Sequence, residues 1–245
     1  MRLLPILITL LLISPIPLSQ EEVKQRFPVI EAGNYFEYGV NQQANTSVTL
    51  NTTHVCGVTI KTWSWRYEIV NVTEEVVVIK VSWKAYLNGT YQESGGYTVI
   101  VHWRNLLFFK VFFDVTRIYE AITRFLSIIS PSGDYSVEDV EYTWSGMTFN
   151  CINASYYYED EGSILYGYFI ISKKYGLVLE KAQYVVWKKG YPSVPSACAI
   201  GFQFTREILK KTNILAKMIL THYLPYIIVA VVAIVASYIL LRRRK

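Results

Sequence analysis

Three histidines and one dense acidic run are the side chains of this 245-residue chain best suited to acid–base or metal chemistry. His102, in VIVHWRN, alternates with Thr98, Ile100 and Arg104 along a strand-like stretch. A carboxylate facing it would make it a general base; with none assigned, it reads as a structural histidine. His54 abuts a glycosylation sequon and is expected at the surface, while His222 heads a long apolar run. Glu159, Asp160 and Glu161, in YYYEDEGS, are dense enough for a hard cation but lack the alternating oxygen spacing of a calcium loop. Gly162 beside them marks a solvated hairpin tip instead. The chain has no Gly-x-Ser-x-Gly elbow, His-Glu-x-x-His helix, Walker loop or dinucleotide fingerprint. Carboxylates for glycoside hydrolysis need only meet in space, and no pair is nominated. No catalytic residue, metal site or cofactor is therefore assigned.

Cys56, Cys151 and Cys198 allow one disulfide in three ways and leave one thiol over. A zinc site is disfavoured, because no two cysteines are close in sequence and the histidines are scattered. Five Asn-x-Ser/Thr sequons begin at Asn45, Asn51, Asn71, Asn88 and Asn153, none with proline in the middle. Five such sites behind a secretory-type start are expected to carry glycans, each on surface that faces solvent.

The elements that must position these residues read mainly as strands. In TWSWRYEIV, Trp63, Trp65, Tyr67 and Ile69 share one face; in VVIKVSWKAYL, Val77, Ile79, Val81, Trp83, Ala85 and Leu87 do the same. LVLEKAQYVVW repeats the pattern through Leu177, Leu179, Val185 and Trp187. Alternation of aromatic and β-branched residues predicts half-buried antiparallel strands. Turns are expected at NVTEE, LNGTYQESGG, YEDEGS and KKYG. One stretch departs from the pattern: Ile118, Ile122, Phe125, Leu126 and Ile129 recur at helical spacing before Pro131. They predict an amphipathic helix over 115–130 whose apolar stripe packs into the concave face of a sheet. The predicted fold is thus α+β, mainly β, an antiparallel sheet packed on one amphipathic helix.

Both ends of the chain speak to a membrane. MRLLPILITLLLISPIPLSQEE has one positive charge, an apolar run, prolines and a small residue, the anatomy of a secretory signal peptide; 1–19 is the expected leader, with Ser19 or Ser14 at the cut. Met218–Leu241 carries no formal charge, and at the helical rise it spans roughly 36 Å against about 30 Å of bilayer hydrocarbon. A C-terminal transmembrane helix over 218–241 follows. The basic residues Arg242, Arg243, Arg244 and Lys245 then form a cytoplasmic tail, although Arg206, Lys210, Lys211 and Lys217 make the other flank basic too. The exterior domain runs from 20 to 217. Arg2 and the four tail residues account for five of the 24 Lys and Arg, which leaves 19 basic against 19 acidic side chains outside. A nucleic-acid partner is excluded on that balance.

FIISKKYGLVLEKAQYVV, a strand, a tight turn and a strand rich in aromatics, resembles the hairpins of bacterial lipoprotein-carrier proteins. That resemblance implies a half-barrel curled around a helix and supplies no site residues. By composition, the tyrosine- and isoleucine-rich strands, sequons and tail anchor resemble membrane-anchored surface glycoproteins of archaea or their viruses. The expected role is structural or binding, at a cell or virion envelope, with lipids held through the anchor and a protein or glycan partner outside. An anchored extracytoplasmic hydrolase and a carrier of an apolar ligand are the alternatives.

Overall fold

Alternating aromatic and β-branched residues do build strands here, and more of them than the pattern alone reveals. A computed structural model describes residues 19–50, 53–103, 111–131, 134–188, 194–195, 198 and 200–243, apart from the side chains at 20, 48–50, 221–222 and 236–243. Nearly all of the expected leader, Asn51, Arg244, Lys245 and the side chains of Arg242 and Arg243 lie outside the described residues.

The fold is mainly β: one open nine-stranded sheet with a few helices. Its strands are β1 (Tyr35–Leu50), β2 (Thr53–Val72), β3 (Val76–Leu87), β4 (Thr90–His102), β5 (Tyr135–Trp144), β6 (Met147–Glu159), β7 (Ser163–Ser172), β8 (Val178–Trp187) and β9 (Gly201–Thr212). They lie in the order β4-β3-β2-β1-β9-β8-β7-β6-β5, every neighbouring pair antiparallel. Helix α1 (Gln20–Arg26) precedes the sheet, α2 (Ile118–Ile129) joins its two halves, and α3 (Leu215–Arg243) leaves it.

The expected helix forms, as a 3₁₀ turn over Val115–Arg117 and then α2. Ile118, Ile122, Phe125 and Leu126 are buried against Ile152 and Ala154 of β6, Phe169 and Ile171 of β7 and Val178 of β8. The Phe125 ring meets Phe113 and Phe169 edge-on. The helix does not sit in the concave face, however. On β6 the alternate residues Met147, Phe149 and Cys151 point away from α2 into a second, larger core. On that side the indole N–H of Trp144, at the end of β5, donates to the carbonyl of Leu209 on β9 at 2.6 Å. Four strand spacings of a flat sheet are about 19 Å, beyond a tryptophan's reach, so the β5–β9 half curls away from α2. The helix packs on the convex side instead.

The larger core joins Phe36 and Tyr38 of β1, Ile69 of β2 and Ile79 of β3 to Val23 of α1, Phe27 and Trp103. One expected turn is also corrected. Only Asn88–Gly89 of LNGTYQESGG turns; Thr90–Gly96 belongs to edge strand β4, which shifts register against β3 between Tyr91 and Glu93. The glycine at position 95 is there for space, since a Cβ would lie 2.8 Å from the Trp83 ring. The open disulfide question resolves as Cys56–Cys198, which ties β2 to the segment before β9. Cys151 is the buried free thiol, and burial pushes it up to about 12.

The first turn of α3 belongs to the domain: Ile214 just before it and Met218 within it are buried in the larger core. Beyond, every described side chain over 223–235 is exposed. Among the described residues no helix is long and apolar enough to cross a membrane.

Packing of α2 generates a direct expectation. Ile122→Ala should cost about 2–5 kcal/mol and Phe125→Ala about 3–5 kcal/mol in unfolding of the sheet domain. Arg124→Ala, on the exposed face between them, should stay within about 0.5 kcal/mol. Thermal or urea unfolding of the three variants checks the contrast.

Candidate functional site

Glu180, on β8, is 2% exposed. Sequence alternation places it opposite the apolar residues of its strand. A β-bulge opposite Ile170 and Ile171 of β7 shifts the parity and turns it into the concave face instead. Four donors meet it there. Arg206 of β9 spans both oxygens, through Nε at 2.8 Å and Nη2 at 3.0 Å. The hydroxyls of Tyr142 (β5) and Tyr168 (β7) donate at 2.6 Å each. Burial disfavours the charged carboxylate, but these hydrogen bonds outweigh it and hold Glu180 below the usual carboxylate range. Burial and the carboxylate together push Tyr168 up to about 12, and Tyr142 higher still. Both carboxylate oxygens are already engaged by these donors, so the cluster works as a clasp across β5, β7, β8 and β9.

The same face continues toward the other end of the strands, where the register aligns Tyr157 of β6, Tyr166 of β7, Tyr184 of β8 and Phe204 of β9. These four rings form a row across four adjacent strands. The tyrosines are 39%, 44% and 45% exposed, far above the ring-filled core below them. Tyr184 and Phe204 lie with centroids 4.3 Å apart. At the edge of the row, Glu159 accepts from Tyr157 and from Lys188, at 2.6 and 3.3 Å. Exposed aromatics backed by a rigid sheet are what protein and glycan partners bury. This row is the candidate binding site.

A second concavity, about 350 Å³, opens at the opposite end, at the root of α3. Its apolar floor comes from Val29, Ile30, Ile214 and Met218, with Lys24, Lys174 and Lys217 around it.

The residues singled out in sequence fare unevenly. Glu159, Asp160 and Glu161 do form a hairpin tip: Asp160 accepts from the backbone N–H groups of Gly162 and Ser163, which lower its pKa. His54 and His102 are exposed on separate strands. Among the described residues no group of three or more His, Cys, Asp or Glu is placed to hold a metal. Of the sequons, Asn71 and Asn88 are exposed at strand ends. Asn45 is engaged by the backbone, donating to Ile200 at 3.2 Å and accepting from Phe202 at 3.1 Å. Asn153 is half-buried within β6, its carbonyl oxygen enclosed. Arg206, counted in sequence as a free basic flank, is spent on Glu180. The aromatic row escaped the sequence reading because it exists only through register between strands.

No family model matches the chain, and no curated protein matches it. Among solved structures it is similar to lipovitellin, described for its lipid–protein interactions, with 11% identity and a TM-score of 0.29 over 75% of this chain and 26% of that one. It is also similar to a DUF1329 family protein from Desulfovibrio piger, with 10% identity and a TM-score of 0.20 over 78% and 89%. The chain spans about a quarter of lipovitellin's length. At these TM-scores neither likeness carries an argument about function. Neither is a surface glycoprotein of archaea or their viruses, and that compositional resemblance finds no support in them.

The clasp sets a pH dependence. Because the folded-state pKa of Glu180 is depressed, its contribution is full above the unfolded carboxylate range near 4.3. It is lost as pH falls through the lower folded value. Glu180→Gln should cost ~2 kcal/mol at pH 7, less than a fully buried pair because Arg206 is half-exposed and can rehydrate. That deficit should shrink toward zero below about pH 4, as read by urea unfolding across pH.

Proposed function

We propose that this protein is a single-pass membrane-anchored surface glycoprotein with a binding role. Its sheet domain stands outside and its basic tail lies in the cytoplasm. The observation that carries the reading is α3. It is a 29-residue helix whose described side chains over 223–235, largely Ile, Val, Ala and Tyr, are all exposed. An apolar surface all round a helix is unstable in water at about 25 cal/mol per Å², and a helix of that kind is covered by protein or by lipid. The sequence from Met218 to Leu241 has the length for lipid. Arg242 to Lys245 favour the cytoplasmic side.

The aromatic row is then the membrane-distal binding face. From Phe204, strand β9 continues to its end at Thr212, two residues before α3, so the row stands about 27 Å of extended chain from the root of the anchor. Among the described residues the buried carboxylates Glu180 and Asp114 are each held by an arginine, Arg206 and Arg26, and neither is offered to the hydrolase alternative as an acid or base. The carrier alternative would need a cavity between α2 and the sheet, and among the described residues Ile122 and Leu126 fill that space.

In sealed vesicles from the native host, protease added to the outer face should digest the domain. Protease on the cytoplasmic face should leave it intact, and cleavage near Tyr156 from that side would overturn the topology. Glycan occupancy should be high at the exposed Asn71 and Asn88 and low at Asn153, which peptide mapping of the native protein reads directly.

A further inference from the structure

The groove at the root of α3 has no part in the reading above, yet its composition selects a ligand. Its floor is apolar, made by Val29 and Ile30 from the segment after α1 and by Ile214 and Met218 from the start of α3. Its rim carries three ammonium groups, on Lys24, Lys174 and Lys217, against one carboxylate, Glu31. Lys24, Lys174 and Lys217 are all exposed. Glu31 lies 3.5 Å from the Lys217 ammonium and offsets part of that charge. Lys174 also stands over the Tyr175 ring, 5.6 Å from its centroid. An apolar trough edged with positive charge matches an amphiphile with an anionic head.

Position narrows the class. Met218 is both the floor of the groove and the first residue of the uncharged run that ends at Leu241. If that run crosses the bilayer, the groove sits where hydrocarbon gives way to headgroups, a layer only about 5–8 Å thick on each side. A phospholipid of the surrounding leaflet can place part of one acyl chain on the floor and its phosphate among the lysines without leaving the membrane. The volume, about 350 Å³, lies at the small end of ligand pockets of ~300–1,000 Å³. It suits part of one chain rather than a whole lipid. We infer that this groove holds an anionic phospholipid of the outer leaflet beside the anchor, an inference that rests on the membrane reading of α3.

The test uses the full chain in nanodiscs of phosphatidylcholine and phosphatidylglycerol in equal parts, released into mild detergent for native mass spectrometry. The wild-type protein should retain one phosphatidylglycerol in preference to phosphatidylcholine. Each lysine removed should weaken that preference roughly fivefold, the value of a basic residue near an anionic surface. Lys24→Gln with Lys174→Gln should therefore abolish it, while Lys80→Gln with Lys84→Gln on β3 should leave it unchanged. Glu31→Gln, which removes the carboxylate from the rim, should strengthen it. Equal retention of the two lipids by the wild-type protein would overturn the inference, as would a preference that survives in the Lys24/Lys174 variant. A chain that fails to enter the nanodisc at all would fell the anchor and the groove together. A chain that enters without lipid preference would fell only the groove.

Discussion

A carboxylate removed from water must find its compensation inside the protein, and Glu180 finds it on three different strands. Tyr142, Tyr168 and Arg206 come from β5, β7 and β9, and all converge on one side chain of β8. Those four strands can meet on one carboxylate only if the sheet bends toward it. Trp144 reaching the Leu209 carbonyl closes the same bend one step further along. The curl in turn decides which surface is left for α2, the convex one, where Phe169 and Ile171 await Phe125 and Ile122. Electrostatic satisfaction of one residue thus sets the shape on which the apolar packing is built.

That shape separates the two ends of the strands. One end is filled with rings and side chains and passes directly into the buried first turn of α3. The other leaves Tyr157, Tyr166, Tyr184 and Phe204 uncovered on the same face. The disulfide Cys56–Cys198 fastens the long β1–β2 hairpin to the segment entering β9, away from the root of α3. A covalent tie is apt there: β2 residues from Thr53 to Lys61 alternate between half-exposed and exposed, so packing alone holds them weakly. The domain is firmest next to the proposed anchor and most exposed where a partner would approach.

Much of this was legible from residue types. The strands carrying Trp63–Ile69 and Val77–Leu87 and the helix carrying Ile118–Ile129 follow from periodicities of two and 3.6. β1 was not legible, because Asn41 to Ser47, polar but for Ala44, show no apolar alternation; flanked by β2 and β9, its backbone pairs on both sides and propensity is overridden. β4 was obscured by Gly95 and Gly96, where the Trp83 ring and the Val81 carbonyl oxygen, rather than a turn, demand glycine. The side of the sheet that α2 covers depends on the sign of a curl, and the parity of Glu180 depends on a bulge; neither leaves a mark in local pattern. The aromatic row is a property of register. The free thiol at Cys151 and the pairing of the other two cysteines needed coordinates for the same reason.

On the membrane reading proposed above, lipid covers the apolar length of α3 that is exposed over 223–235. Val229 lies midway along that length and is exposed. With Cys56 and Cys198 paired and Cys151 buried, a cysteine introduced by Val229→Cys is the accessible thiol for a nitroxide label. Power-saturation spectroscopy of the labelled full chain in phospholipid vesicles then compares collisions with apolar oxygen and with a water-soluble nickel chelate. Strong relaxation by oxygen and almost none by the chelate are expected, the signature of a site deep in hydrocarbon. Relaxation by the chelate equal to that of a label on exposed Arg124→Cys would contradict it.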